Sequence, residues 1–319
     1  MKFNKPALPV RNQLQKWRSR GLIISNEAGA LHDLEFIGYY RFSGYTLHFQ
    51  DLKHPDKHFK PGTTFEQILE LYIFDRELRL LVLDAIERIE VAVRTHIVNA
   101  MSVKLGPHWF MEPQHFKSPP KRPARFPRFS HEKFLDKIDE ELGIPKLSKK
   151  PSTPHNEVFI NHYYKTYGDP YLPPAWMVFE VLSMGRLSQV FENLASAAER
   201  NAISKTFGVD EQVLQNWLHC LSYVRNLCAH HRRLWNLQLV IKPVIAKKLA
   251  HLVPVKDRFY AVAVILHSLL GIAVHKSTWH LRLAALLEAH PVADLKAMEF
   301  PPEWKSEPFW GLTKSDYEI

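Results

Sequence analysis

The sequence predicts an all-α protein. Apolar residues recur at three- and four-residue intervals over long stretches, most continuously from Phe65 to Val93 and again from Leu214 to Leu227. These stretches are bounded by helix start and stop residues: Thr63 with Glu66, Pro173-Pro174, Gly21 and Gly106-Pro107. The chain also has the material for a full core, with 46% hydrophobic residues among 319.

In chain order, Met1 to Pro9 is a basic arm. Arg11 to Arg20 reads as a first helix with Leu14 and Trp17 inward and Gly21 as its stop. Lys16, Arg18 and Arg20 form a solvated face or touch phosphate. Ser25 is expected to cap a second helix whose inner stripe is Ala28, Leu31, Leu34 and Ile37. IGYYRFSGYTLHF follows, and its aromatics around Arg41 read as a core wedge with an ordered place for the guanidinium. Stacking on bases is the sharper reading of the same residues.

Thr63 and Glu66 make a capping box for a long helix from about Thr64 to Lys104, with a kink expected at Asp75-Arg76. Its charges alternate in sign at helix-face separations, which is ordinary pairing, although a subset can orient site residues from behind. Lys117 to Phe129 holds five basic residues, four prolines and no acid. That run reads either as a solvated insertion or as an RNA-clamping loop carried by Lys121, Arg122, Arg125 and Arg128. Helices are expected at His131 to Leu142, Asn156 to Tyr167, Ala175 to a stop at Gly185, Leu187 to Leu194 and Ala195 to Phe207. The motif helix starts at Asp210, and Pro243 to Leu252, Asp257 to His275 and Ser277 to His290 follow, the last with a Ser cap. Proline and tryptophan anchor the end.

Net charge is +9, which favours polyanionic partners without separating RNA, DNA or an anionic membrane surface. Cys220 and Cys228, the two cysteines, lie about 12 Å apart along one helix axis and cannot pair. A reducing cytoplasm is therefore the expected compartment. The absence of a signal sequence or an apolar run of about 18 residues agrees, so no membrane partner is expected. Val262 to Val274 comes nearest but contains His267, and reads as a buried helix. The sequence lacks a glycine-rich phosphate loop, a CxxC pair and an HExxH, which leaves nucleotide-hydrolase and zinc-hydrolase readings without support. His219, Cys220, Cys228, His230 and His231 are spread around a helix, so no metal and no cofactor is expected.

The organising stretch is Leu214 to Asn236, LQNWLHCLSYVRNLCAHHRRLWN. Where its apolar stripe ends, Arg225, Asn226, His230, His231, Arg232, Arg233 and Asn236 crowd together. Such placement is costly unless these groups satisfy one another or a ligand. Imidazole and guanidinium can cleave an RNA phosphodiester without a metal, because the 2′-hydroxyl needs a base, the leaving oxygen an acid and the phosphorane a fixed cation. Histidine titrates near neutrality and arginine offers a fork matched to phosphate oxygens. On a straight helix Asn226 and His230 share a face, while Arg225 lies roughly 140° round from His230. Either the helix ends within the motif, or a second copy across a two-fold axis completes the site. The bland reading is a histidine and arginines stabilising a helix C-terminus.

Arg225-Asn226-Leu-Cys-Ala-His230 resembles the Arg-(Asn/His/Asp)-x3-His signature of HEPN-superfamily ribonucleases. RNLCAHHRRLWN as a whole resembles the Abi-like (AbiD/AbiF) abortive-infection family within that superfamily. IGYYRFSGY at Ile37 to Tyr45 and the Phe65 to Ile97 run extend the likeness over roughly the first 240 residues in order. The resemblance implies a HEPN-type helical bundle with N-terminal and C-terminal helical extensions. It also implies a metal-independent endoribonuclease site of Arg225, Asn226 and His230, acting in phage defence or as a toxin. His231 and Arg232 are expected to support that site.

The expected partners are substrate RNA, a regulatory non-coding RNA and a second copy in a homodimer. The expected divisions are 1–63, a core at 64–240 with a basic insertion around 112–154, and 241–319. A non-catalytic RNA-binding or scaffold protein of a defence system is the alternative.

Overall fold

The apolar stripe that begins at Phe65 folds into one uninterrupted helix of 41 residues. The computed structural model describes residues 2, 6–118 and 129–312, which form an all-α fold. The described helices are α1 (Val10–Arg18), α2 (Glu27–Phe36), α3 (Tyr39–Thr46), α4 (Phe65–Leu105), α5 (His131–Glu141), α6 (Val158–Thr166), α7 (Ala175–Val178), α8 (Met184–Asn193), α9 (Ala197–Thr206), α10 (Glu211–Ala229), α11 (Phe259–Ala273) and α12 (Trp279–Ala289).

Several expected boundaries move for local reasons. Asn26, not Ser25, caps α2, its side chain accepting from the Gly29 N–H at 2.9 Å. The buried stripe there is Ala30 and Leu34, while Ala28 is exposed. The capping box of α4 shifts by one residue: Thr64 and Gln67 exchange the two bonds, at 3.0 and 3.3 Å. Thr63 is buried, and its hydroxyl donates to the Lys60 carbonyl at 2.8 Å. Asp75-Arg76 does not interrupt α4.

Gly185 does not end a helix; it lies in the first turn of α8. A Cβ there would come within 3.2 Å of the Ser222 hydroxyl on α10, so the glycine permits close approach of the two helices. Pro243 to Leu252 contains only a 3₁₀ turn at Lys247–Leu249, and Thr278 precedes α12 without a side-chain cap bond.

The chain divides into two compact units. The first comprises residues 1–81, 230–237 and 278–319, and the second 82–229 and 238–277. In the first, the aromatic wedge is core in part: Tyr40 and Leu47 are exposed, and Tyr39 and Phe49 are half-buried. Phe42 and Tyr45 are buried, and Phe42 meets Trp17, Phe65 and Tyr72 at 6.4, 5.5 and 5.5 Å between ring centroids. The Trp279 indole N–H donates to the Leu81 carbonyl at 2.9 Å, and Trp304 and Trp310 are buried among the short turns that follow α12.

In the second unit every stripe residue of α10 is buried: Leu214, Trp217, Leu218, Leu221, Val224 and Leu227. The Trp217 indole N–H donates to the Val244 carbonyl at 2.7 Å, tying the segment after the motif back onto that helix. Cys220 and Cys228 are buried, and burial pushes the Cys220 thiol up to about 12. α11 is buried along ten residues from Phe259 to Leu270, as expected of a core helix. Among the described residues no helix is long and apolar enough to cross a membrane.

One carboxyl of this unit gives a pH prediction. Asp139 Oδ1 is buried without a hydrogen-bond partner, and burial, then the charge of Asp136, raises the Asp139 carboxyl to about 6. The folded state thus keeps a proton that the unfolded chain releases near pH 4, so this group costs stability as pH rises from about 4 to about 6. Asp139→Asn is expected to be more stable than the parent at pH 7, with the difference vanishing below pH 4. Urea midpoints across that range check it.

Candidate active site

The motif divides at the end of its helix. Arg225 and Asn226 stand in the last turn of α10, which stops at Ala229, and His230 is the first residue beyond it. The helix therefore ends inside the motif, the first of the two arrangements open to it. His231 then takes a left-handed conformation, φ 54°, which reverses the chain at once.

Arg225 is half-buried in the second unit. Its Nη1 lies 3.4 Å from Asn226 Oδ1, a long contact that holds the two side chains together. Behind them stands Glu90 of α4. Burial raises the Glu90 carboxyl, while the charges of Arg94 and then Arg225 pull it down. Arg94 donates to Glu90 at 2.9 Å and to the Leu182 carbonyl at 3.1 Å, and its Nη1 approaches Glu180 at 3.4 Å. The Glu90 carboxylate is thus held by Arg94 and lies within the field of the motif arginine. Among the acids on the long helix, Glu90 feels the charge of the motif arginine. The sequence offered several equivalent candidates because alternating charges on a helix look alike until the neighbours are known.

In the first unit, residues 230–237 are pinned from three sides. Arg41 Nη1 donates to the His231 carbonyl at 2.6 Å, and Arg233 donates to the Gly44 carbonyl. Asp75, fully buried on α4, accepts the backbone N–H groups of Leu234 and Trp235 at 3.0 and 2.6 Å. It also accepts the Tyr45 hydroxyl at 2.6 Å and the Arg79 guanidinium. The residue at which the sequence predicts a kink anchors the chain leaving the motif. His230, His231 and Arg232 remain exposed, and His230 and Arg232 have no hydrogen-bond or ion-pair partner among the described residues.

A family model described as Abi-like protein matches residues 32–236. The chain belongs to the Abi-like family. The match starts within α2 and ends three residues after Arg233, so it takes in both the aromatic wedge and the whole motif of this Abi-like protein. That membership points to a part in abortive infection, the defence against phage. No curated protein and no solved structure matches the Abi-like chain.

Lys121, Arg122, Arg125 and Arg128, the basic residues of the proline-rich run, lie outside the described residues. Sequence reading also passed over a group of metal-ligand type: the ligand atoms of His54, Asp56 and His58 lie within 4.8 Å of one another. It sits on a surface loop where His54 Nδ1 already accepts the Asp56 N–H at 3.2 Å. Two histidines four positions apart in a loop, with an aspartate between them, give no periodic signal that marks them out.

Proposed function

We propose that this Abi-like protein is a metal-independent endoribonuclease of HEPN type, cutting RNA by attack of the 2′-hydroxyl on the adjacent phosphorus. The observation that carries this reading is the run Arg225-Asn226-x3-His230 inside the family match, with its imidazole exposed and without a partner among the described residues. A histidine that exchanges protons with a ligand has to be open to it.

In the proposed step His230 exchanges protons at the 2′-oxygen or at the leaving oxygen. The O2′–P bond forms, the P–O5′ bond breaks, and the proton removed from O2′ is matched by one delivered to O5′. Arg225, its charge set against Glu90, neutralises the phosphorane, and Asn226 positions it. His231 is a substitute acid or base, or a structural donor. Arg232 holds flanking phosphate. A homodimer would present two such motifs about one axis.

The test is chemical. Purified protein given single-stranded RNA in EDTA is expected to produce fragments ending in a 2′,3′-cyclic phosphate and a 5′-hydroxyl, read by mass spectrometry. Cleavage that appears only when a divalent ion is added, or that leaves a 5′-phosphate, overturns the mechanism.

A further inference from the structure

The first compact unit contains a cleft of about 1120 Å³ that has no acidic residue in its lining. Six cations line it: Lys16, Arg20, Arg41, Lys57, Arg232 and Arg233. They come from α1, from α3, from the loop before α4 and from the segment after the motif, so no short stretch of sequence announces the cluster. Arg41 and Arg233 are spent on the backbone carbonyls described above. Lys16, Arg20, Lys57 and Arg232 have no acidic partner among the described residues. Cations gathered in one concavity without counter-charges repel one another, and an anion that enters relieves this.

The cleft also has an aromatic component. Tyr39 stacks on the buried Trp17 at 4.5 Å between centroids and 25° between planes, which makes a rigid floor. Tyr40, beside it, is 91% exposed. An aromatic ring held in water at the edge of a basic cleft matches the way single strands are bound, with cations along the backbone and a ring face under a base. His230 lines the same cleft.

We infer that this cleft is a subsite for single-stranded RNA, in which Arg20, Lys57 and Arg232 contact successive phosphates and Tyr40 stacks on an unpaired base. The inference rests on the ribonuclease reading for the kind of polyanion. It adds how a strand reaches His230 and why an unpaired strand is preferred: a base still paired in a duplex cannot offer its face to Tyr40.

The experiment measures fluorescence anisotropy of a short labelled single-stranded RNA of mixed sequence, and of the same sequence as a duplex, over a range of potassium chloride concentrations. Arg225→Ala protein is used so that cleavage does not intervene. In that background Tyr40→Ala is expected to weaken single-strand binding about tenfold. Arg20→Gln combined with Lys57→Gln is expected to weaken it further and to reduce the log–log salt slope by about 1.4. Duplex is expected to bind more weakly and to be indifferent to Tyr40→Ala. These residues are exposed or half-buried, so thermal melts should move little.

Unchanged affinity in both variants, or equal losses for duplex and single strand, overturns the subsite. The two readings separate cleanly. Parent protein that cleaves RNA while both variants bind normally sinks the cleft alone. Parent protein that loses binding with these variants but never cleaves sinks the enzyme and leaves the cleft.

Discussion

His230→Ala is expected to lower the RNA cleavage rate by a factor of about 10² to 10⁴, the range attached to loss of a positioned acid or base. Because His230 is exposed and has no partner among the described residues, its removal should leave stability within about 0.5 kcal/mol of the parent. Lost activity then cannot be put down to unfolding. Arg225→Ala should cost a similar amount, about 10² to 10³, and Arg225→Lys should recover only part of it, since an ammonium keeps the charge without the planar fork. The two losses should not add, because the groups serve one transition state. Single-turnover cleavage in EDTA, with RNA affinity and a urea midpoint for each variant, decides the matter. Activity in the His230→Ala protein equal to the parent's removes the imidazole from the chemistry. RNA binding without cleavage in the parent leaves a scaffold that holds RNA.

How much of this could be seen in the sequence depends on the range of the interaction responsible. The helical stripe of α10 was legible residue by residue, because periodicity and burial are the same fact seen twice: all six apolar positions are buried. Caps were legible only to within one position. Two adjacent threonines precede α4, and which of them faces Gln67 depends on Thr63 being turned inward to the Lys60 carbonyl. Gly185 looked like a stop because glycine ends helices, yet here it serves contact with Ser222 on another helix.

The basic cleft was not legible. The contact that anchors it, Arg41 to the His231 carbonyl, joins residues 190 positions apart, and cations spread that widely resemble any solvated surface until folding gathers them. The same holds for Glu90, one acid among many on α4 until Arg94 binds it and the Arg225 charge acts on it.

Asp75 governs the chain that follows the motif, and Asp75→Ala is expected to destabilise the protein by about 3 to 5 kcal/mol, the cost of breaking a buried charge pair from one side. The carboxylate lies at 0% exposure and accepts from four donors. Burial alone pushes the carboxyl up, and Arg79, Tyr45 and the two backbone N–H groups pull it back towards the charged form. Removing it takes a counter-charge from the buried Arg79 and strands the N–H groups of Leu234 and Trp235, each an unmet donor worth about 1 to 3 kcal/mol.

Tyr45→Phe, which deletes one donor and leaves the carboxylate its other three, should cost less, about 1.5 to 3 kcal/mol. Asp75→Asn separates charge from shape. It keeps an oxygen for the backbone but no charge for Arg79, so it should fall between the other two in urea midpoint. It should also speed hydrogen exchange at the Leu234 and Trp235 amides. If those amides exchange as slowly in Asp75→Asn as in the parent, with the midpoint unmoved, then residues 230–237 are held by Arg41 and Arg233 instead, and Asp75 is only a buried ion pair within α4.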